Sequence, residues 1–291
     1  METLDLLKQV RAIEIRTKGL SNQIFSGEYH SAFKGRGMAF SEVREYIPGD
    51  DIRNIDWNVT ARFNHPYVKV FEEERELTVM LLVDISGSGD FGTTRQFKRE
   101  LITELCAVLA FSAIQNNDKT GVILFSDKVE KFIPPKKGRS HILRIIKELL
   151  EYKSEGKSTD IGVGLKYFSN MVKKRCIAFL ISDFKSPDYS EALKVASRKH
   201  DLVAIRIGDQ RERSFPDVGL IQFADTESGE KLLVDTSDSR VRMAFENRSK
   251  EIESATTELL NRSGVDHVRI MTGESYVNPL LHLFKRRDKR A

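Results

Sequence analysis

The stretch Leu77 to Asp84 constrains this chain more than any other. It reads Leu-Thr-Val-Met-Leu-Leu-Val-Asp, nearly all apolar. A strand with one wet face alternates polar and apolar residues; a continuous apolar run has no wet face and must be covered on both sides. The rest of the chain supplies the cover. Helical spacing is expected at 97–115, 142–150, 161–172, 189–199, 241–261 and 277–284. Short apolar strands are expected at 121–125, 176–182, 202–207 and 265–270, with a β-arm at 129–133. This alternation predicts an α/β fold: a doubly wound, mostly parallel sheet flanked by helices, with right-handed crossovers.

Two regions are expected. Residues 77–291 form the α/β domain, with a β-hairpin insertion near 215–236 centred on Ser228-Gly229. Residues 1–76 form an N-terminal extension. It opens with a helix over Leu4 to Arg16, apolar at Leu4, Leu7, Val10 and Ile13. It continues as an irregular β-rich segment from about Phe25 to Val70, with a turn at Pro48-Gly49-Asp50. In this segment Trp57 is expected to anchor the core, and Arg44, Arg53 and Arg62 to pair with Asp50, Asp51 and Asp56.

Composition narrows the function classes. Hydrophobic residues make up 40% and charged residues 31%, the balance of a soluble globular protein. The 47 basic and 43 acidic residues leave a net charge of +4, with no clustered basic face that would point to nucleic acid. The terminal Lys285, Arg286, Arg287, Lys289 and Arg290 read as a solubilising end. Cys106 and Cys176 lie in apolar runs and read as small buried hydrophobes, not a disulfide framework, which fits a reducing compartment. Met1 to Val10 carries Glu2 and Asp5 and has no apolar signal-peptide core. The longest apolar runs, Val79 to Val83 and Leu105 to Phe111, fall short of the roughly 18 residues a membrane span needs. A cytoplasmic protein is expected.

The candidate chemistry sits at strand ends. Asp84-Ile85-Ser86-Gly87-Ser88 follows the central strand and reads D-x-S-x-S. A spacing of two along an extended turn puts the oxygens of Asp84, Ser86 and Ser88 on one side. Thr159 lies in the polar loop Gly156 to Asp160, and Asp183 ends the strand 176–182. In parallel sheets, ligands bind outside the carboxyl ends of the strands. A set of carboxylates and hydroxyls suits hard cations such as Mg²⁺, Mn²⁺ or Ca²⁺.

The order D-x-S-x-S, then Thr, then Asp resembles the metal-ion-dependent adhesion site of the von Willebrand factor A family, whose fold is integrin I-like. The resemblance implies that Asp84, Ser86, Ser88, Thr159 and Asp183 hold the cation, the serines and threonine directly and the aspartates directly or through water. An acidic side chain of a protein partner would fill an open position. The family often has Gly after the last Asp; here Phe184 stands there.

A second string runs from Gly35-Arg36-Gly37 through Val43-Arg44-Glu45-Tyr46-Ile47-Pro48-Gly49-Asp50-Asp51 and Ile55-Asp56-Trp57 to Val68-Lys69-Val70-Phe71-Glu72-Glu73-Glu74-Arg75. It resembles the bacterial family known as domain of unknown function fifty-eight. That resemblance implies a protein acting beside a MoxR-type AAA+ ATPase as an adaptor or chaperone partner.

The rival class is a metal-dependent hydrolase or phosphatase using the same strand-end site. Against it, the position two after Asp84 is Ser86 and not a second carboxylate. The chain has neither a G-x-x-x-x-G-K-[ST] phosphate loop nor a G-x-S-x-G elbow. A binding module, not an enzyme, is expected.

Overall fold

The computed structural model describes residues 10–15, 17, 38–73, 77–90, 97–156, 158–224 and 231–289. The chain divides into two compact units, Lys34–Glu76 and the remainder.

In the smaller unit, strands β1 (Met38–Glu45) and β2 (Tyr67–Glu73) pair antiparallel, with an irregularity between Phe40 and Glu42. Helix α1 (Trp57–Phe63) lies between them, where β structure was expected. Asp56 starts it by accepting from the Asn58 and Val59 amides, and Asn64 ends it in the left-handed region at φ 57°. A short polar side chain takes both roles at low cost, because it hydrogen-bonds its own backbone and tolerates positive φ. Arg44 donates twice to Asp50, at 2.7 and 2.8 Å, and the Ile47 amide donates to the same carboxylate across the Pro48-Gly49 turn. Arg53 pairs with Asp51, while the partner of Asp56 is Lys69 at 3.5 Å, not an arginine. Trp57 is not a core anchor: it is 70% exposed at the first turn of α1. The expectation rested on residue type, and the helix places that position outward.

The larger unit runs β3 (Thr78–Asp84), α2 (Lys98–Gln115), β4 (Lys119–Phe125), β5 (Val129–Lys136), α3 (Arg139–Glu151), α4 (Ile161–Met171), β6 (Ile177–Ser182), α5 (Ser190–Lys199), β7 (Asp201–Gly208), β8 (Leu220–Ala224), β9 (Lys231–Asp235), α6 (Ser239–Arg262), β10 (Asp266–Met271) and α7 (Val277–Asp288). The six-stranded sheet has the order β10-β7-β6-β3-β4-β5. All its neighbours are parallel except β5, which returns antiparallel to β4 at the edge. β8 and β9 form a separate two-stranded antiparallel sheet.

The doubly wound α/β architecture follows from the apolar strands. Along β3, Val79, Leu81 and Val83 enter one core while Met80 and Leu82 enter the other. Every second residue faces the opposite side of a pleated sheet, so a continuous run feeds both. The first core is closed by α2, α3 and α7, with Val10 of the helical residues 10–15 packed into it. The second is closed by α4, α5 and Leu260 of α6. Helix α2 is buried along most of its length, including Leu105, Ala107, Val108, Leu109 and Ala113. It therefore carries no polar stripe. Cys106 and Cys176 are buried free thiols.

β3 stands at the point where the winding reverses: the chain leaves it for β4 on one side, and β6 joins it on the other. Such a switch point opens a crevice at the carboxyl ends of the two strands. Asp84 and Asp183 lie there.

Candidate functional site

Asp84 is the last residue of β3 and is 4% exposed. Its Oδ1 accepts from the Ser86 amide at 3.0 Å, and its Oδ2 from the Ser182 hydroxyl at 2.6 Å. The Ile85 amide still bonds to the Phe125 carbonyl, so the chain leaves the sheet only at Ser86. It then enters the 3-10 turn Gly87–Asp90, on which Ser88 lies. The side chain of Ser88 is outside the described part of the structure.

Thr159 comes from the loop between α3 and α4. It is buried, and its hydroxyl donates to Ser86 Oγ at 2.7 Å. The loop is held from the β4–β5 hairpin. Glu130 of β5 accepts from the Gly156 amide at 2.9 Å, the Glu155 amide at 3.2 Å and the hydroxyls of Ser126 and Ser154 at 2.8 and 3.0 Å. The Asp160 amide bonds to the Ser126 carbonyl at 2.9 Å. Gly156 is pressed against this hairpin: a Cβ there would fall 2.1 Å from both Ser126 Oγ and Asp127 Oδ1. Asp160 then caps α4 by accepting from the Val163 amide.

β6 supplies the third part, Ser182-Asp183-Phe184. The Ser182 hydroxyl donates to Asp84 and accepts from the Phe184 amide at 3.0 Å. Phe184 sits at φ 63°, in the region where the resemblance expected Gly. It is 3% exposed and packs beside Tyr189. Burial of a large ring offsets a backbone strain of about 1–2 kcal/mol.

Asp183 meets a cation of the protein's own. Lys98, the first residue of α2, is 1% exposed, and its Nζ lies 3.2 Å from Asp183 Oδ2 and 2.7 Å from Glu212. Lys185 reaches the same Glu212 at 2.7 Å. Burial pushes the Lys98 ammonium down, but Asp183 and Glu212 outweigh it and hold its pKa above the ordinary lysine value. Burial likewise pushes Asp183 up, while Lys98, Lys185 and the Lys185 amide hold it below the carboxylate range. Asp84 differs. Burial and the neighbouring Asp183 carboxylate push it up to about 6, against the Ser182 hydroxyl and Ser86 amide.

Four of the sequence-predicted residues, Asp84, Ser86, Thr159 and Asp183, thus converge on one strand edge. Sequence reasoning missed Ser182, Lys98, Glu212 and Glu130. Ser182 directly precedes Asp183, and its hydroxyl at a strand end is the signal that could have found it. Lys98 lies in the charged string Lys98-Arg99-Glu100 and Glu212 in Arg211-Glu212-Arg213, where local sequence does not set them apart. Among the described residues, no group of three or more His, Cys, Asp and Glu is arranged to hold a metal. A cation at this edge would draw on hydroxyls. Asp84 with the touching Ser86 and Thr159 hydroxyls is an all-oxygen set of the hardness that Mg²⁺, Mn²⁺ and Ca²⁺ prefer.

A profile described as "Protein of unknown function DUF58" matches residues 42–255. The Mycobacterium tuberculosis H37Rv protein named "Uncharacterized protein Rv1480" is 32% identical over 228 residues, covering 77% of this chain and 72% of that protein. An aerotolerance-related membrane protein from Bacteroides fragilis shares the fold at a TM-score of 0.51 and 16% identity, over 74% of this chain and all of that one. The SpRpn10 VWA domain is 12% identical over 72% of this chain and 95% of its own, with a TM-score of 0.40. No helix among the described residues is long and apolar enough to cross a membrane. The family profile runs from within β1 into α6, well over half of the chain, and this chain belongs to the DUF58 family.

Proposed function

We propose that the protein is a divalent-cation-dependent protein-interaction module of von Willebrand A type. Asp84, Ser86, Ser88, Thr159 and Asp183 would hold Mg²⁺, or Mn²⁺ or Ca²⁺ in its place. The ion, when bound, supplies a positive centre that an Asp or Glu of a partner protein completes. The observation that carries this reading is the Thr159–Ser86 hydroxyl pair, 2.7 Å apart and buried beside the Asp84 carboxylate. Two hydroxyls and a carboxylate from two segments far apart in sequence converge at a switch point, where α/β sheets place their ligands. Asp84, pushed up to about 6, is a carboxylate whose charge is undercompensated by its amide and hydroxyl donors, and a cation would relieve that. Ser86 at the position of a second carboxylate favours binding over hydrolysis. The partner we propose is a MoxR-type AAA+ ATPase, with the protein acting as its adaptor in the cytoplasm.

Thermal unfolding in EDTA, Mg²⁺, Mn²⁺ and Ca²⁺ tests the ion site. Saturation at 100-fold over Kd adds about 2.7 kcal/mol, a rise of roughly 5–10 °C. The rise is expected for the wild type and not for Asp84→Ala; no rise at millimolar cation, alone or with the ATPase, ends the reading. A pull-down of the ATPase that is unaffected by EDTA would remove the cation from the interaction.

A further inference from the structure

The buried ammonium of Lys98 is the unexplained part of this edge. A lysine is rarely taken wholly out of water unless paired, and this one is paired with Asp183 and Glu212. It enters from the first turn of α2, whose next apolar residues Leu101, Ile102 and Leu105 lock the helix into the core. Its position is therefore fixed by the fold. Glu212 is fixed as well: its side chain accepts from the Asp209 amide in the 3-10 turn Gln210–Glu212, and its carbonyl accepts from Ser249 of α6.

We infer that Lys98 is a built-in counter-charge that makes cation binding at this site depend on an acidic partner. The inference rests on the proposed cation site. Asp84 and Asp183 alone would present two negative charges to a divalent ion, enough to neutralise it. Glu212 adds a third negative charge, and the ammoniums of Lys98 and Lys185 cancel two of the three. A divalent ion then leaves the site with a net positive charge, which is disfavoured in a buried setting and relieved when an anionic side chain arrives. Cation and acidic ligand bind cooperatively, and the cation alone binds weakly. Coupling of this kind is reciprocal, so the ligand gains as much from the cation as the cation from the ligand.

The test is calorimetric titration of Mg²⁺ and Mn²⁺ into the full chain, with and without acetate as the probe for a partner carboxylate. Wild type, Lys98→Met and Lys98→Met/Glu212→Gln are compared after circular dichroism has shown them folded. The double variant removes one positive and one negative group together, so it keeps the buried charge balanced if the single variant does not fold. Lys98→Met is expected to bind the cation at least about tenfold more tightly than wild type without acetate, and the double variant, which keeps the wild-type net charge, no more tightly than wild type. Acetate should raise cation affinity in wild type and in the double variant and have little effect in Lys98→Met. Lys98→Met binding with the wild-type Kd, or the double variant binding as tightly as is expected of Lys98→Met, overturns the counter-charge role and leaves the cation site standing. Binding to none of the three, with or without acetate, overturns both.

Discussion

The hydroxyl of Thr159 donates to Ser86 Oγ at 2.7 Å across 73 residues of sequence, and both side chains are buried. Neither strand pairing nor helix packing requires this contact. Thr159→Val keeps the shape and removes the oxygen. Metal-free stability should change by no more than about 1–2 kcal/mol, the range for one buried hydrogen bond. The Mg²⁺-dependent rise in Tm should disappear. Thr159→Ser should retain most of it. Paired thermal scans check this, and an undiminished rise in Thr159→Val would take Thr159 out of the cation site.

Glu130 does not reach the cluster, but it holds the loop that brings Thr159 to it. Glu130→Ala should destabilise the protein by about 2–3 kcal/mol, because several donors lose a charged acceptor at once. Hydrogen exchange should quicken at the Glu155 and Gly156 amides. Cation affinity should fall with the loosened loop, although Glu130 donates nothing to the site itself. Denaturant midpoints, exchange mass spectrometry and titration calorimetry report the three effects separately.

Phe184 sets two opposing costs against each other. Phe184→Gly relieves a left-handed backbone worth about 1–2 kcal/mol but removes a buried ring worth about 3–5. Packing wins, and the variant should lose about 2–3 kcal/mol in a urea titration. A more stable Phe184→Gly would mean that the backbone strain outweighs the contacts with the core.

His200 gives a pH signature remote from the site. It is buried between Cys176 and Phe168, and burial, with the nearby charges of Lys199 and Arg175, pushes its pKa down to about 4. The unfolded chain takes up this proton near pH 6.5 and the folded chain only near 4, so the unfolded state binds more protons in between. The stability from a neutral His200 is present above pH 6.5 and is lost as the pH falls toward 4. His200→Leu has nothing to titrate. The Tm of wild type relative to His200→Leu should fall by roughly 3–8 °C between pH 7 and pH 4.5. A constant difference across that window would show that His200 titrates normally.

The sequence by itself determined the larger unit's architecture. The continuous apolar run of β3 admits only a strand covered on both faces, and the alternating helices supply that cover, because period-two and period-3.6 patterns are local. It also named Asp84, Ser86, Thr159 and Asp183, since strand-end carboxylates and hydroxyls in loops are visible one residue at a time. Only the tertiary structure decided which of them touch and what stands beside them. Lys98, Glu212 and Glu130 are charged residues in charged surroundings, and nothing in their neighbours separates a solvated side chain from a buried one. Lys98 is buried and the two glutamates part-buried because of where α2, the turn after β7 and the β5 edge come to rest. Trp57 erred in the other direction: residue type placed it inside, and the short helix capped by Asp56 turned it to solvent. Periodicity specifies which face of an element is apolar, but a side chain's electrostatic environment is set by segments far away in sequence, and that is information no local pattern carries.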